Sequence, residues 1–166
     1  METPGQESAP QNLIEIEQAT KPTDEVRTLV EELEEELSAN YPPKQRHGLK
    51  IEAIFQPHIR FFIARIDGSP VGCGGIALFN GFAEVKRMYV RQSSRGLGAA
   101  DAIVKRLEEE ALNAGLNTLK LETGTEQAAA LRFYERCGFG LCEAFEPYSS
   151  MEPHTIATSV FMEKRL

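Results

Sequence analysis

The spacing of apolar residues changes several times along the chain, and each change marks an element. Leu13, Ile14 and Ile16 suggest a first strand. Pro22-Thr23-Asp24 supplies helix-start chemistry ahead of Val26, Leu29, Val30, Leu33 and Leu37, a stripe that predicts a helix to about Asn40. Tyr41-Pro42-Pro43 breaks that pattern, and residues 49–55 read as a short second helix before Pro57. From Ile59 the period becomes that of strands, with Asp67-Gly68 and Asn80-Gly81 as hairpin signals separating three of them, the last at residues 82–90. Ala102, Ile103, Leu107 and Ala111 then line one face of a helix that ends around Asn113 to Gly115. Residues 118–122 (TLKLE) read as a strand, residues 128–137 as a helix closed by Gly138, and residues 139–145 and 156–162 as two last strands.

This order predicts an α/β domain, a mixed sheet with helices on its faces, in which residues 82–122 form a parallel strand-helix-strand crossover. Residues 1–11 are polar with nothing to bury and read as a disordered tail ahead of one domain over residues 12–166. No internal repeat or linker divides it.

Composition narrows the function classes. An apolar share of 42% and a charged share of 26% are those of a globular chain. The first twenty residues lack the basic and apolar stretches of a signal peptide, and no apolar run reaches membrane-spanning length, so a cytoplasmic location and no membrane partner are expected. A net charge of -7 repels a phosphate backbone, which argues against nucleic acid. The charge is concentrated at Glu31, Glu32, Glu34, Glu35 and Glu36 of the first helix, read as a solvated face. Cys73, Cys137 and Cys142 form no CxxC pair and read as buried thiols. His47, His58 and His154 have no ligand spacing around them, so no metal is expected.

The segment Arg95-Gly96-Leu97-Gly98-Ala99-Ala100 carries the first candidate chemistry. It lies between a strand and a helix, where backbone N–H groups and the helix dipole favour a phosphate and small residues let it approach. Turns alone explain most glycine pairs. The loop lacks the Gly-Lys-Ser/Thr of a P-loop and the third glycine of the dinucleotide fingerprint.

Arg95-x-x-Gly98-x-Ala100 after an apolar strand resembles the acetyl-CoA-binding motif of the GNAT superfamily of N-acetyltransferases. Residues 130–139 (ALRFYERCGF) resemble that family's second motif, a helix ending in Y-x-x-x-G-F, and the resemblance spans residues 13–165. It implies a GNAT-like single domain with a mostly antiparallel central sheet, splayed central strands and helices on both faces. It also implies acetyl-CoA as cosubstrate: the backbone of Met88, Tyr89 and Val90 binding the pantetheine arm, and amides of Arg95, Gly96, Leu97, Gly98, Ala99 and Ala100 binding the pyrophosphate. Neither set of alternate residues in strand 82–90 is cleanly apolar, which a face-switching bulge explains; a half-exposed regular strand is the other reading.

Under the resemblance Tyr134 is the acid that meets the departing CoA thiolate; without it Tyr134 reads as helix packing. Glu84 is the candidate base for an ammonium acceptor, with a surface carboxylate paired to Lys86 or Arg87 as an equally supported reading. Tyr41, His47, Arg87 and Tyr148 are candidates for the acceptor pocket, His47 doubling as a base. Lys44, Arg46, Lys86 and Arg87 suit an acceptor carrying a carboxylate as well as a primary amine, such as an amino acid, and equally the phosphates of CoA. Direct attack in a ternary complex is expected. Cys137 and Cys142 are the alternative acyl carriers, but a helix C-terminus does not lower the Cys137 thiol's pKa. A protein lysine or N-terminus as acceptor, and a non-catalytic CoA-binding sensor, remain open readings. Relatives are frequently homodimers, and the resemblance extends that expectation to this chain.

Overall fold

A computed structural model describes residues 13–166; the expected tail at residues 1–11 lies outside them. The strands are β1 (Ile14–Ala19), β2 (Ile59–Ile66), β3 (Ser69–Leu78), β4 (Ala83–Val90), β5 (Thr118–Gly124), β6 (Gly140–Leu141) and β7 (Ser159–Arg165), and the α-helices are α1 (Asp24–Ser38), α2 (Ala99–Asn113) and α3 (Ala128–Arg136). The strands make one sheet in the order β1-β2-β3-β4-β5-β7-β6. Only β4 and β5 pair parallel, as the crossover through α2 requires.

Helices α1 and α2 bury most of the stripes read from the sequence. Thr23 caps α1, its hydroxyl accepting from the Val26 N–H at 3.3 Å, and Val26, Leu29 and Val30 pack on Phe61, Ile63 and Cys73 of the sheet. On the opposite face Ile103 and Leu107 of α2 lie fully buried against Phe62, Ile76 and Val85, each contributing about 2 kcal/mol through removal from water. Tyr134 of α3 joins the same cluster.

Two features of β4 shape the centre of the sheet. Its parallel pairing with β5 stops after Ala83↔Leu119 and Glu84↔Lys120, so the two strands part from there on. Opposite Gly74, β4 carries one residue more than β3, since Cys73 pairs with Tyr89 and Gly75 with Lys86, and Arg87 in this bulge has φ 55. The bulge switches faces: Val85 packs with α2, Lys86 and Arg87 lie on the α1 side, and Met88 is back with α2. That resolves the mixed apolar pattern of this strand.

Three expectations are corrected. Residues 49–55 hold only a 3-10 turn at Ile51–Ala53, because the apolar residues there anchor a loop under α1 rather than repeat at helical period. The strand expected at residues 139–145 shrinks to Gly140–Leu141, because Phe145 turns in with Tyr148 and Phe161 as a separate aromatic cluster. The last strand begins at Ser159, after 3-10 turns at Tyr148–Ser150 and Pro153–Ile156.

Candidate active site

The parting of β4 and β5 opens a cleft of about 730 Å³ whose walls include Met88, Tyr89 and Val90, the whole loop from Ser94 to Asp101, and Ala130, Phe133, Tyr134 and Arg136 of α3. All nine residues expected to hold a CoA therefore meet in one place. Gly98 at the head of α2 has φ 93, a left-handed conformation that a side chain would strain, and no side chain caps the helix. The first-turn N–H groups of α2 stay free for a phosphate. Arg95 folds back, its Nε donating to the Val90 carbonyl at 3.0 Å and its Nη2 to Glu36 at 3.0 Å. Arg136, part of the second motif but not among the expected site residues, adds a second cation to the wall.

On the far side of Tyr134 lies a smaller cavity of about 130 Å³. It is lined by Tyr41, His47, Arg87 and Tyr148, the residues expected for the acceptor, and by Glu84, the expected base, and shares Met88, Gln127, Ala130 and Tyr134 with the cleft. Tyr134 stands at the junction. Burial pushes its phenol well above the usual tyrosine range, so it stays protonated through neutral pH and can donate.

Glu84 has neither an exposed place nor a free carboxylate. It is 1% exposed, accepts from the Tyr148 hydroxyl at 2.5 Å and pairs with Lys86 Nζ at 3.1 Å. Lys86 also donates to Tyr148 Oη at 2.8 Å, closing a three-membered network. The Tyr148 phenol is raised strongly by burial and by the Glu84 charge, and so remains the donor.

The acidic run of α1 is a solvated face only at Glu31 and Glu35, and the other three glutamates are anchors. Glu32 holds Arg91, Glu36 holds Arg95, and Glu34 binds Arg46 through one oxygen and Arg87 through the other. Arg87 further donates from Nε to the Leu49 carbonyl at 2.8 Å, and its guanidinium lies where a Cβ on Gly48 would be. Two guanidiniums thus share one carboxylate, leaving a positive charge at the rim of this smaller cavity. Of the cations expected there, Lys44 does not line the cavity and Lys86 is engaged by Glu84.

His47 is tied by Nε2 to the Thr155 carbonyl at 2.9 Å and stands edge-on to Tyr148. Tyr41, 5% exposed, accepts from the Glu126 N–H at 2.8 Å and occupies the space a Cβ on Gly124 would take. Glu122 of β5 also lines the cavity and was missed in the sequence. Its carboxyl is raised to about 7 by burial and by Glu84, against the lowering effect of the Ser159 hydroxyl and Lys86. The alternation of Lys120 and Glu122 with buried Leu119 and Leu121 was the available signal, since it marks the polar face of a central strand. Among the described residues no cluster of His, Cys, Asp and Glu could hold a metal ion.

Comparison with known proteins agrees with this arrangement. Residues 26–139 match the profile of the Acetyltransferase (GNAT) family. The chain is 41% identical over 145 residues to an IAA acetyltransferase of Azospirillum brasilense, covering 86% of this chain and 92% of that one. Among solved structures, a Klebsiella pneumoniae protein assigned as an acyl-CoA N-acyltransferase superposes with a TM-score of 0.72 at 32% identity, over 93% of this chain and 98% of that one. A GNAT family acetyltransferase from Elizabethkingia anophelis with acetyl-CoA bound shares the fold at a TM-score of 0.63 and 16% identity, over 92% of this chain and 98% of that one. Together with the cleft at the parted strands, these relationships establish that the chain belongs to the GNAT family and is an acetyl-CoA-dependent N-acetyltransferase.

Proposed function

We propose that the enzyme acetylates the primary amine of a small molecule that also carries a carboxylate, such as an amino acid. The supporting observation is the meeting of two cavities at Tyr134, one with a phosphate-binding helix start and one with a surplus cation at the paired Arg46 and Arg87. Acetyl-CoA binds along Met88, Tyr89 and Val90 with its pyrophosphate on the loop from Arg95 to Ala100. The acceptor enters from the opposite side, between Tyr41, His47, Arg87 and Tyr148, and attacks the thioester directly.

As the C–S bond breaks, the CoA thiolate takes the Tyr134 proton, and the protonated amide nitrogen of the product returns one to the tyrosinate. Glu84 works from behind this surface, holding Lys86 and Tyr148 in place. Direct attack needs no S-acetylated cysteine, and partial burial raises the Cys137 and Cys142 thiols away from the reactive thiolate.

Thiol release with acetyl-CoA and a panel of amines tests the reading. Amino acids are expected to be turned over at least tenfold more efficiently than the same amines without their carboxylate. Preference for lysine-bearing or N-terminal peptides would overturn the small-molecule acceptor, and silence across the panel would overturn the reading as a whole.

Gly124→Ala gives a separate check on the acceptor side. The new methyl displaces the Tyr41 ring from its bond to the Glu126 N–H, so the acceptor KM is expected to rise about tenfold, equivalent to losing roughly one 1.4 kcal/mol interaction. The affinity for CoA, measured calorimetrically, should stay within about threefold.

A further inference from the structure

We propose that Glu122, on β5, is the group that takes the proton from the acceptor ammonium, in place of the β4 carboxylate Glu84. This rests on the acetyl-transfer reading above and assigns that reaction a residue on the other side of the gap.

The geometry distinguishes the two carboxylates. Glu84 sits on the last β4 residue that pairs with β5, is closed in by Tyr148 and Lys86, and has its charge matched by an ammonium at 3.1 Å. Glu122 lies two residues beyond Lys120, where β5 has already left β4, and its side chain is half-buried in the wall of the acceptor cavity. Among the described residues no Lys or Arg forms an ion pair with it. The Ser159 hydroxyl oxygen, buried and without a hydrogen-bond partner among the described residues, lies beside it.

A carboxyl with no cation of its own, inside a cavity, is suited to receive one with the substrate. Tyr134 lines the same cavity, so an amine at Glu122 faces the residue that meets the departing sulfur. The groups around Glu122 are Glu84 and Lys86 from β4, Ser159 from β7, Tyr41 beyond α1 and Tyr148 from its 3-10 turn, with Arg46, His47 and Arg87 lining the same cavity. Of these only Lys86 is a near cation, and Glu84 already neutralises it. The raised carboxyl, near 7, is basic enough to accept a proton at neutral pH and acidic enough to shed it to water.

The proton balance is simple. Glu122 carboxylate takes one proton from the ammonium, the freed lone pair forms the C–N bond as the C–S bond breaks, and Glu122 returns its proton to solvent. One amide, one CoA thiol and one solvent proton are the products.

The test is kcat against pH for the wild type, Glu122→Gln and Glu84→Gln with the best acceptor of the panel. The expected result is a wild-type acid limb near pH 7. Glu122→Gln should lose about 100-fold at pH 7 and recover toward pH 10, where the amine deprotonates itself. Glu84→Gln should retain the limb. An acid limb kept in Glu122→Gln, with kcat within about threefold of wild type, overturns the assignment; so does a limb lost only in Glu84→Gln. A wild type that binds CoA but acetylates no amine overturns the underlying reading and this assignment with it.

A melting measurement separates a charged cavity residue from a merely structural one. Its raised pKa means the folded protein holds a proton that the unfolded chain releases between pH 4.5 and about 7, so stability falls as pH rises through that window. Glu122→Gln removes the penalty and should melt about 5 °C above wild type at pH 8, with no difference at pH 4. A lower melting temperature at pH 8 would overturn the uncompensated charge on which the assignment stands.

Discussion

Tyr134→Phe is expected to lower kcat about 100-fold while leaving the affinity for CoA within about threefold. The phenylalanine keeps the ring, which packs edge-on to Phe139 at 5.6 Å between centroids, so the fold keeps its contact and loses only the hydroxyl. Among the described residues Tyr134 is the sole phenol lining both the cleft and the smaller cavity, and burial keeps it protonated at neutral pH. A departing thiolate deprived of that donor must leave as an anion in a partly desolvated site. An unchanged kcat, measured at saturating amine and acetyl-CoA, would reduce Tyr134 to helix packing.

Glu84→Leu is expected to cost about 3 kcal/mol of stability and lower the melting temperature by roughly 10 °C. The carboxylate is the shared partner of a Tyr148 hydroxyl and of Lys86, whose side chain is 13% exposed. Removing it leaves an ammonium with little water and a phenol whose proton has lost its acceptor. Glu84→Gln preserves shape and an acceptor oxygen, so its loss should be smaller. Thermal denaturation of the two variants side by side checks the order, and a Leu variant melting within about 2 °C of wild type would show that the network carries no stability.

Much of this architecture could be read from the chain because its determinants are local. The stripes of α1 and α2 repeat at helical period, the hairpins at Asp67-Gly68 and Asn80-Gly81 announce themselves, and the glycine loop is a contiguous segment at a strand-helix boundary. Even the bulge at Arg87 left a trace, as a strand with no consistent apolar face.

What escaped depends on residues far apart. Whether Glu122 and Glu84 meet water or a cavity is decided by Tyr41 and Tyr148, which arrive from other parts of the chain. The α1 glutamates look solvated until Arg91 and Arg95, each 59 residues from its partner, fold onto them. The C-terminal stretch is irregular because Phe145, Tyr148 and Phe161 cluster through tertiary packing rather than by a repeating period.

The parted strands have a further consequence for the protein without its cosubstrate. A sheet normally keeps its unpaired N–H and C=O groups at the perimeter, where short strands, bulges and charges guard them. Here β4 and β5 cease to pair after Glu84 and Lys120, which puts an open rim in the middle of the sheet. The amides that face it have no strand partner and meet water unless something extended lies between them. In amide hydrogen exchange, the gap-facing amides at the far ends of both strands should therefore exchange rapidly in the empty enzyme, while those turned to β3 and β7 and the run Phe61 to Ala64, paired on both sides, stay protected. Adding CoA should slow exchange along Met88 to Val90 first, marking the cosubstrate as the piece that closes the interior of the sheet.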